Sequence, residues 1–244
     1  MPRTLVWDLP TRLFHWLFAG GFTAAAVIAL GLGDDSPLFP YHGIIGLALG
    51  LMLVLRLVWG FVGTRHARFG SFAFGPRAVA GYFGGVLRGR PRRYAGHNPG
   101  SAYAIFAMLA LMLGLTVTGV MLGRGNEGVK DVHEVLVYAM IAVAGVHVLG
   151  VILHTLRQRE NLTAGMVHGR KEVSESEGIR SSRPLAAAVF LVITGAWTAA
   201  LVNAYDPATR STTAPLLGVG LQLGEADEGG NRPNGDRHHD RDED

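Results

Sequence analysis

Two histidines, His133 and His147, lie fourteen residues apart within one long apolar segment of the chain. Because an α-helix turns by about 100° per residue, fourteen steps overshoot four full turns by only about 40°. Both imidazoles therefore leave nearly the same helix face, roughly 21 Å apart along the axis. That separation is most of the thickness of the hydrocarbon core of a bilayer, so one helix would present an imidazole at each of two membrane depths.

The composition is typical of a polytopic helical membrane protein. Of the 244 residues, 49% are apolar and 17% are charged, and the charges gather in blocks between uncharged stretches of about 20 residues. The absence of cysteine from the sequence excludes disulfides, thiolate metal sites, iron–sulfur clusters and covalent haem attachment through cysteine. The net charge of +3 gives no reason to expect a nucleic-acid partner.

We predict five membrane-spanning helices, at about residues 10–32, 42–63, 101–122, 132–156 and 184–204. Each is long enough to cross about 30 Å of hydrocarbon. The first lacks the short apolar region and the small-residue cleavage site of a signal peptide, so we expect it to remain in the mature protein. Asn98 and Pro99 are typical of a helix start, and Asp131 with Glu134 predicts a capping box that begins the fourth helix at Val132.

Lysine and arginine predict the orientation of these helices. Fifteen of them lie in the N-terminal segment and in the second and fourth loops, whereas six lie in the first and third loops and the C-terminal tail. By the positive-inside rule, this bias places the N-terminus in the cytoplasm. Five spans then place the C-terminus outside.

Two further histidines, His15 and His42, match His133 and His147 in depth. The first span runs outward, so His15 lies near the cytoplasmic side, whereas His42 begins the second span at the external edge. The fourth span runs inward, which places His133 at the level of His42 and His147 at the level of His15. Because neutral imidazole is a common axial ligand of iron, the two cross-helix pairs predict two bis-histidine iron sites.

Small residues follow His42 on its own helix face. Gly46 and Gly50 stand four and eight residues after it, where they would leave room for a flat macrocycle. Ordinary close packing of helices is the alternative interpretation, because small residues are common at helix contacts in membranes.

His154 is the main alternative to His147 as a ligand. It lies seven residues further along the same segment, about 20° off the same face. Its basic neighbours place it near the membrane interface, where we expect it to face a haem propionate or water. Three other histidines fall in basic cytoplasmic loops, and we interpret them as solvated: His66, His97 and His168.

Several motifs follow one another in order along the first 172 residues. They are VWDLPTRLFHW (6–16), YHGIIG (41–46), RLVWGFVGTRHARF (56–69), HNP (97–99), and HEVL with GVH (133–147). Together, and with their histidine spacing, they resemble the bacterial cytochrome b-561 family, which includes the b-type subunits of nickel–iron hydrogenases. The resemblance covers about residues 3–172.

This resemblance implies an all-α fold, a polytopic membrane four-helix bundle with two b haems, to which the chain adds a fifth transmembrane helix. The ligands that carry over are His15, His42, His133 and His147. It further implies a multi-pass protein of the bacterial inner membrane that passes single electrons between quinone and a periplasmic redox partner, either a c-type cytochrome or a hydrogenase-like subunit. Whether such an electron-transfer subunit has quinone oxidoreductase activity of its own stays open.

Two other classes of function stay open from the residues themselves. A transporter could use intramembrane histidines to relay protons or bind a metal, although the spans contain no acidic residue except Glu134 at a helix end. A passive membrane anchor for another subunit would not need histidines matched in depth.

We divide the chain into three parts. Residues 1–172 form the predicted di-haem domain, and residues 173–204 form a linker and the fifth transmembrane helix. Residues 205–244 are rich in glycine and charged residues, and we expect them to be a disordered polar tail.

Overall fold

A computed structural model describes residues 2–89, 92–215 and 218–224. In chain order its helices are α1 (Leu9–Ala26), α2 (Phe39–Val62), α3 (Pro76–Leu87), α4 (Pro99–Gly123), α5 (Lys130–Gln158), α6 (Leu162–His168) and α7 (Pro184–Asn203). A π-helical segment, Val27–Leu32, continues α1. Five of these helices, α1, α2, α4, α5 and α7, are long and apolar enough to cross a membrane. The predicted polytopic helical fold is thereby confirmed.

The core of the bundle lies at mid-depth between the spanning helices. Leu53 in α2, Met112 in α4, Met140 in α5 and Phe190 in α7 are all buried in one apolar cluster. Helix α1 packs against α2, α2 against α4, and α4 against α5, while α7 packs against α1 and α2. Helix α5 packs closely against α4 but only sparsely against α1 and α2. Helix α5, which carries two of the predicted ligands, is therefore not tightly packed against α1 and α2, which carry the other two.

Two helix starts were predicted from capping residues, and one prediction was wrong. Asn98 caps α4, because its side-chain oxygen accepts a hydrogen bond from Ser101 N at 2.9 Å. Helix α5 instead begins at Lys130 without a side-chain cap, so Asp131 and Glu134 do not form the expected capping box at Val132. The reason is that a 3₁₀ turn, Glu127–Val129, runs directly into α5 and moves the helix start upstream.

A small sheet joins two distant parts of the chain at one end of the bundle, which we call the N-terminal end. Strand β1 (Arg3–Leu5) pairs antiparallel with β2 (Arg170–Glu172), and the N–H groups of Val6 and Trp7 both donate to Gly169 O. Val6 and Trp7 are buried with Val173 in an apolar cluster. The start of α1 is thus held against the segment that follows α5.

A β-hairpin covers the opposite end, which we call the C-terminal end. It consists of β3 (Ser211–Ala214) and β4 (Val219–Gln222). Leu221 and Leu223 are 3% and 7% exposed and pack with Ile44 of α2 and Leu201 of α7. The expected disordered tail is therefore wrong for residues 205–215 and 218–224, because their few apolar side chains cover the ends of the helices although the tail as a whole is polar. Residues 225–244 lie outside the described residues.

Asp8 joins the start of α1 to the end of α2. It is 1% exposed, and its Oδ1 accepts a hydrogen bond from Thr11 N at 2.9 Å. Its Oδ2 accepts from Trp59 Nε1 at 3.1 Å and from Thr64 Oγ1 at 2.5 Å. One buried carboxylate therefore satisfies a helix N-terminus and two side chains of the neighbouring helix end.

We expect Asp8→Ala to lower the free energy of unfolding by about 3 kcal/mol, because it leaves buried donors without an acceptor. The measurement is reversible unfolding in mixed detergent micelles. Asp35→Ala is the matched control, since Asp35 is exposed and should cost no more than about 0.5 kcal/mol. Equal stability of the two variants would contradict the structural role of Asp8.

Candidate functional site

His42 at the start of α2 and His133 in the first turn of α5 face each other near the C-terminal end. Their ring centroids lie 6.4 Å apart, with the ring planes at 78°. His42 Nδ1 lies 2.9 Å from Ala25 O, and His133 Nδ1 lies 2.8 Å from Thr118 Oγ1. A carbonyl only accepts, so the proton of the His42 ring lies on Nδ1, and its Nε2 has a free lone pair.

The same reasoning applies to His133. The Thr118 hydroxyl lies 2.8 Å from Gly114 O, to which it donates, so it accepts the hydrogen bond from His133 Nδ1. Metal-binding histidines nearly always donate their second ring N–H in this way, which sets the ring orientation and the tautomer. The pair is therefore oriented as two ligands with both Nε2 atoms available.

The separation of the two rings also fits a shared metal ion. Metal–imidazole bonds of about 2 Å on opposite sides of one ion place the two ring centroids roughly 6 Å apart. The open face of α5 towards α2 provides the space that a planar group between these rings needs. The residues present thus fit a haem with two axial histidines.

The glycines near His42 serve different purposes. A Cβ atom at Gly46 would meet nothing within 4 Å, whereas one at Gly50 would lie 2.7 Å from the Thr116 methyl group, and one at Gly43 2.7 Å from Leu223 Cδ2. Gly46 therefore leaves open space one turn from His42. The interpretation of Gly50 as room for a macrocycle was wrong, because Gly50 allows α2 and α4 to approach closely.

His15 in α1 and His147 in α5 lie at the other level, towards the N-terminal end. They are close enough for their charges to interact, and His15 Nδ1 is buried without a hydrogen-bond partner. Fourteen residues of helix separate His133 from His147, which corresponds to about 21 Å. The four predicted ligands thus lie at two levels, with His42 and His133 facing each other at one and His15 and His147 at the other.

His154 has hydrogen-bond partners on both ring nitrogens. Its Nε2 lies 3.3 Å from Glu160 Oε2 and its Nδ1 lies 3.1 Å from Gln158 Nε2. Glu160 also forms a 3.0 Å ion pair with Lys171. The hydrogen bond from His154, aided by the Lys171 cation, lowers the pKa of Glu160 to about 2. These contacts support His147 rather than His154 as the ligand at this level.

Two of the three loop histidines are not solvated, contrary to the prediction. His168 is exposed, but His66 is 7% exposed, and its Nε2 lies 2.7 Å from Glu177 O. The His97 ring lies 4.6 Å from the Trp7 ring and 4.6 Å from the Phe72 ring, and its Nε2 is buried without a partner. Burial, with the nearby Arg56 cation second, lowers the pKa of His97 to about 3.

The physical reason is that the loop between α2 and α4 folds back over β1 and the start of α1. Nothing in the local composition of the loop indicates this, because the apolar partners of His97 come from residues 7 and 72. The HNP motif (97–99) was the available signal in the sequence that His97 is held in a fixed position. Its proline and asparagine begin α4, which fixes the backbone immediately after His97.

The model of one family, described as prokaryotic cytochrome b561, matches residues 6–169 of the chain. A protein of Rhizobium leguminosarum bv. viciae is 23% identical over 216 residues, which cover 70% of this chain and 90% of that protein. A protein of Rhodobacter capsulatus is 25% identical over 68% of this chain and 80% of its own length. Both carry the name "Probable Ni/Fe-hydrogenase B-type cytochrome subunit".

A protein of Escherichia coli K12 is 27% identical over 138 residues, which cover 47% of this chain and 57% of that protein, and it is named "Probable Ni/Fe-hydrogenase 1 B-type cytochrome subunit". No solved structure gives a significant match. The family match contains all four predicted ligands and extends from the residue after β1 to the residue after α6. On the extent of this match and the five membrane-spanning helices, the chain belongs to the prokaryotic cytochrome b561 family.

Proposed function

We propose that this chain holds two haems b and passes single electrons across the membrane, between a quinone and a redox protein on the other side. Membership of the family makes it a multi-pass membrane b-type cytochrome that works in electron transfer. The number of haems, their ligands, the quinone and the partner are the proposal. When bound, haem supplies an iron that accepts and gives one electron at a time.

The observation that carries the proposal is the geometry of His42 and His133. Each ring is anchored through Nδ1, one to Ala25 O and the other to Thr118 Oγ1, and the rings face each other at 6.4 Å. We assign the second haem to His15 and His147 at the N-terminal level. A passive anchor would not need imidazoles oriented in this way, and a proton relay would not need both rings fixed through Nδ1 with Nε2 left available for a metal ion.

The orientation follows from the excess of lysine and arginine at the N-terminal end, which we assign to the cytoplasm. The quinone would react near the haem at this end. The redox partner would then meet the periplasmic, C-terminal end, and the names of the relatives favour a hydrogenase-like subunit over a c-type cytochrome.

The hairpin defines the surface that such a partner would meet. The Phe39 ring stacks on His42 with centroids 5.6 Å apart, and the Gly224 backbone lies against Phe39. His42 is therefore separated from the surface by one aromatic ring and the hairpin edge. The partner would dock on or beside β3 and β4 rather than on the two short loops alone.

Single histidine variants test the ligand assignment. We expect His42→Ala or His133→Ala to remove one haem and His15→Ala or His147→Ala to remove the other, so that each variant loses about half of its haem, because one imidazole cannot hold a bis-histidine haem. Pyridine haemochrome assays and reduced-minus-oxidised spectra measure the haem content.

His168→Ala is the control for these variants, since His168 is an exposed loop residue and should retain both haems. Full haem content in His147→Ala would move the assignment to another histidine at the N-terminal level. A wild-type protein without a b-type α band would contradict the whole proposal.

The assigned orientation predicts the location of the termini. A reporter that is active only in the periplasm should be active when fused after Asp244, because five spans and a cytoplasmic N-terminus place the C-terminus outside. A cytoplasmic reporter at the same position should be silent. The reverse result would mean that the orientation is wrong or that α7 does not span the membrane.

Electrons should cross the protein along the membrane normal, because the two ligand levels of α5 are about 21 Å apart. In proteoliposomes that enclose a quinol pool, an external one-electron acceptor should be reduced by the wild-type protein. The rate should fall sharply in His42→Ala, which lacks the haem on the acceptor side. An unchanged rate in this variant, with loss of that haem verified, would rule out the transmembrane path.

A further inference from the structure

Unpartnered polar atoms gather at the N-terminal end of the bundle. Within the described part of the chain, five buried side-chain nitrogen or oxygen atoms have no hydrogen-bond partner, and four of them belong to this end: Thr11 Oγ1, His15 Nδ1, Arg56 Nη1 and His97 Nε2. Buried polar groups in native proteins are nearly always paired. Four such atoms in one region therefore indicate a polar ligand.

Arg56 is the charged member of this group. It is 4% exposed, and its Nη2 donates to Ala67 O at 3.2 Å, while its Nη1 has no acceptor. The nearest acid, Asp8, already accepts hydrogen bonds on both of its oxygens. Neither ion pair found among the described residues involves Arg56. The Asp8 charge acts on Arg56 only from beyond ion-pair distance. Because a buried guanidinium nitrogen without an acceptor is strongly unfavourable, Arg56 Nη1 calls for an acceptor, and an anion would be the strongest one.

His97 lies beside the same aromatic pair as Arg56 and carries a second unpartnered polar atom. The Arg56 guanidinium lies 4.9 Å from the centroid of the Phe69 ring, that ring lies 5.9 Å from the Phe72 ring, and the Phe72 ring contacts His97. Arg56 and His97 therefore flank one aromatic pair. A neutral His97 ring with its proton on Nε2 donates a hydrogen bond from a buried position.

The depth of Arg56 matches that of His15 and His147, the pair at the N-terminal level, which we call the inner pair. Arg56 follows His42 in α2 by fourteen residues, the same spacing that separates His133 from His147 in α5. It therefore lies about 21 Å from His42 along the axis, on nearly the same helix face. His97, in turn, is close enough to His147 for their charges to interact.

We propose that Arg56 and His97 bind a carboxylate, and that this carboxylate is a propionate of the haem held by His15 and His147. The inference rests on the proposed function, because it needs a haem at this level. A guanidinium binds a carboxylate through charge-assisted hydrogen bonds. A neutral quinone would leave the Arg56 charge without a counter-ion, which favours the propionate. The site would thus place one cation and one neutral hydrogen-bond donor beside a propionate of the inner haem.

The test compares haem with haem dimethyl ester, in which both propionates are esterified, in wild-type protein and in Arg56→Gln. We expect Arg56→Gln to weaken haem binding at the inner site by about tenfold and to lower the midpoint potential of that haem, because an uncompensated carboxylate favours ferric iron. The ester should bind equally to both proteins, since neither can form the ion pair. The potential of the outer haem should not change.

Arg65→Gln is the matched control, because Arg65 is exposed and its Nη1 donates to the Ser176 carbonyl. Arg56→Lys keeps the charge and should restore the potential, which a purely structural role would not require. His97→Ala should weaken binding of haem but not of the ester.

Four outcomes separate the possibilities. Equal weakening for haem and ester in Arg56→Gln would overturn the proposal, as would equal affinity of the wild-type protein for the two ligands. A change in the KM for quinol with an unchanged inner haem would assign Arg56 to quinone instead and also overturn it. A wild-type protein with no haem at the inner level would contradict the proposed function itself.

Discussion

A polar group in the interior of a membrane protein must find its hydrogen-bond partner within the protein, because hydrocarbon offers none. This constraint explains the orientation of the imidazoles. His42 and His133 each use Nδ1 for a contact with a neighbouring helix, one with α1 through Ala25 O and the other with α4 through Thr118. The two contacting helices, α1 and α4, therefore determine how each ring is oriented. The site depends on the whole bundle rather than on the two helices that carry the histidines.

The same constraint shapes the N-terminal end, where polar groups are more numerous. Asp8, Arg56, His66 and Lys171 are all buried there. Asp8 has a full set of donors, and Lys171 has both Glu160 and the Tyr94 carbonyl. Arg56 and His97 retain free donors beside the level of His15 and His147. Some polar groups at this end therefore pair with one another. The unpartnered donors lie beside the position proposed for the inner haem.

The residues inside the family match and the residues beyond it form different parts of the molecule. The matched residues 6–169 include α4 and the three spanning helices that carry the four histidines, α1, α2 and α5. Helix α7 and the hairpin lie beyond the match, yet they pack on α2 and cover its start. Trp197 of α7 donates to Leu47 O at 3.3 Å, which anchors this addition close to His42. The part of the chain outside the family thus changes the surface next to the outer pair of histidines rather than the pairs themselves.

The sequence by itself determined the class and the five spans, and it predicts the pairing of the histidines by depth, because these follow from properties that run along the chain. Hydrophobic length, helix rise and charge bias are local or summed quantities, and fourteen residues of helix set a distance without knowledge of the neighbours. Only the tertiary structure decided which groups surround the histidines. Thr118 and Ala25 lie 15 and 17 residues from their partners His133 and His42. His97 lies 25 residues from Phe72 and 90 from Trp7, so no local pattern connects them. Burial of the His97 Nε2 atom, close packing at Gly50 and order in residues 205–215 and 218–224 likewise depend on contacts between distant segments, which composition averages away.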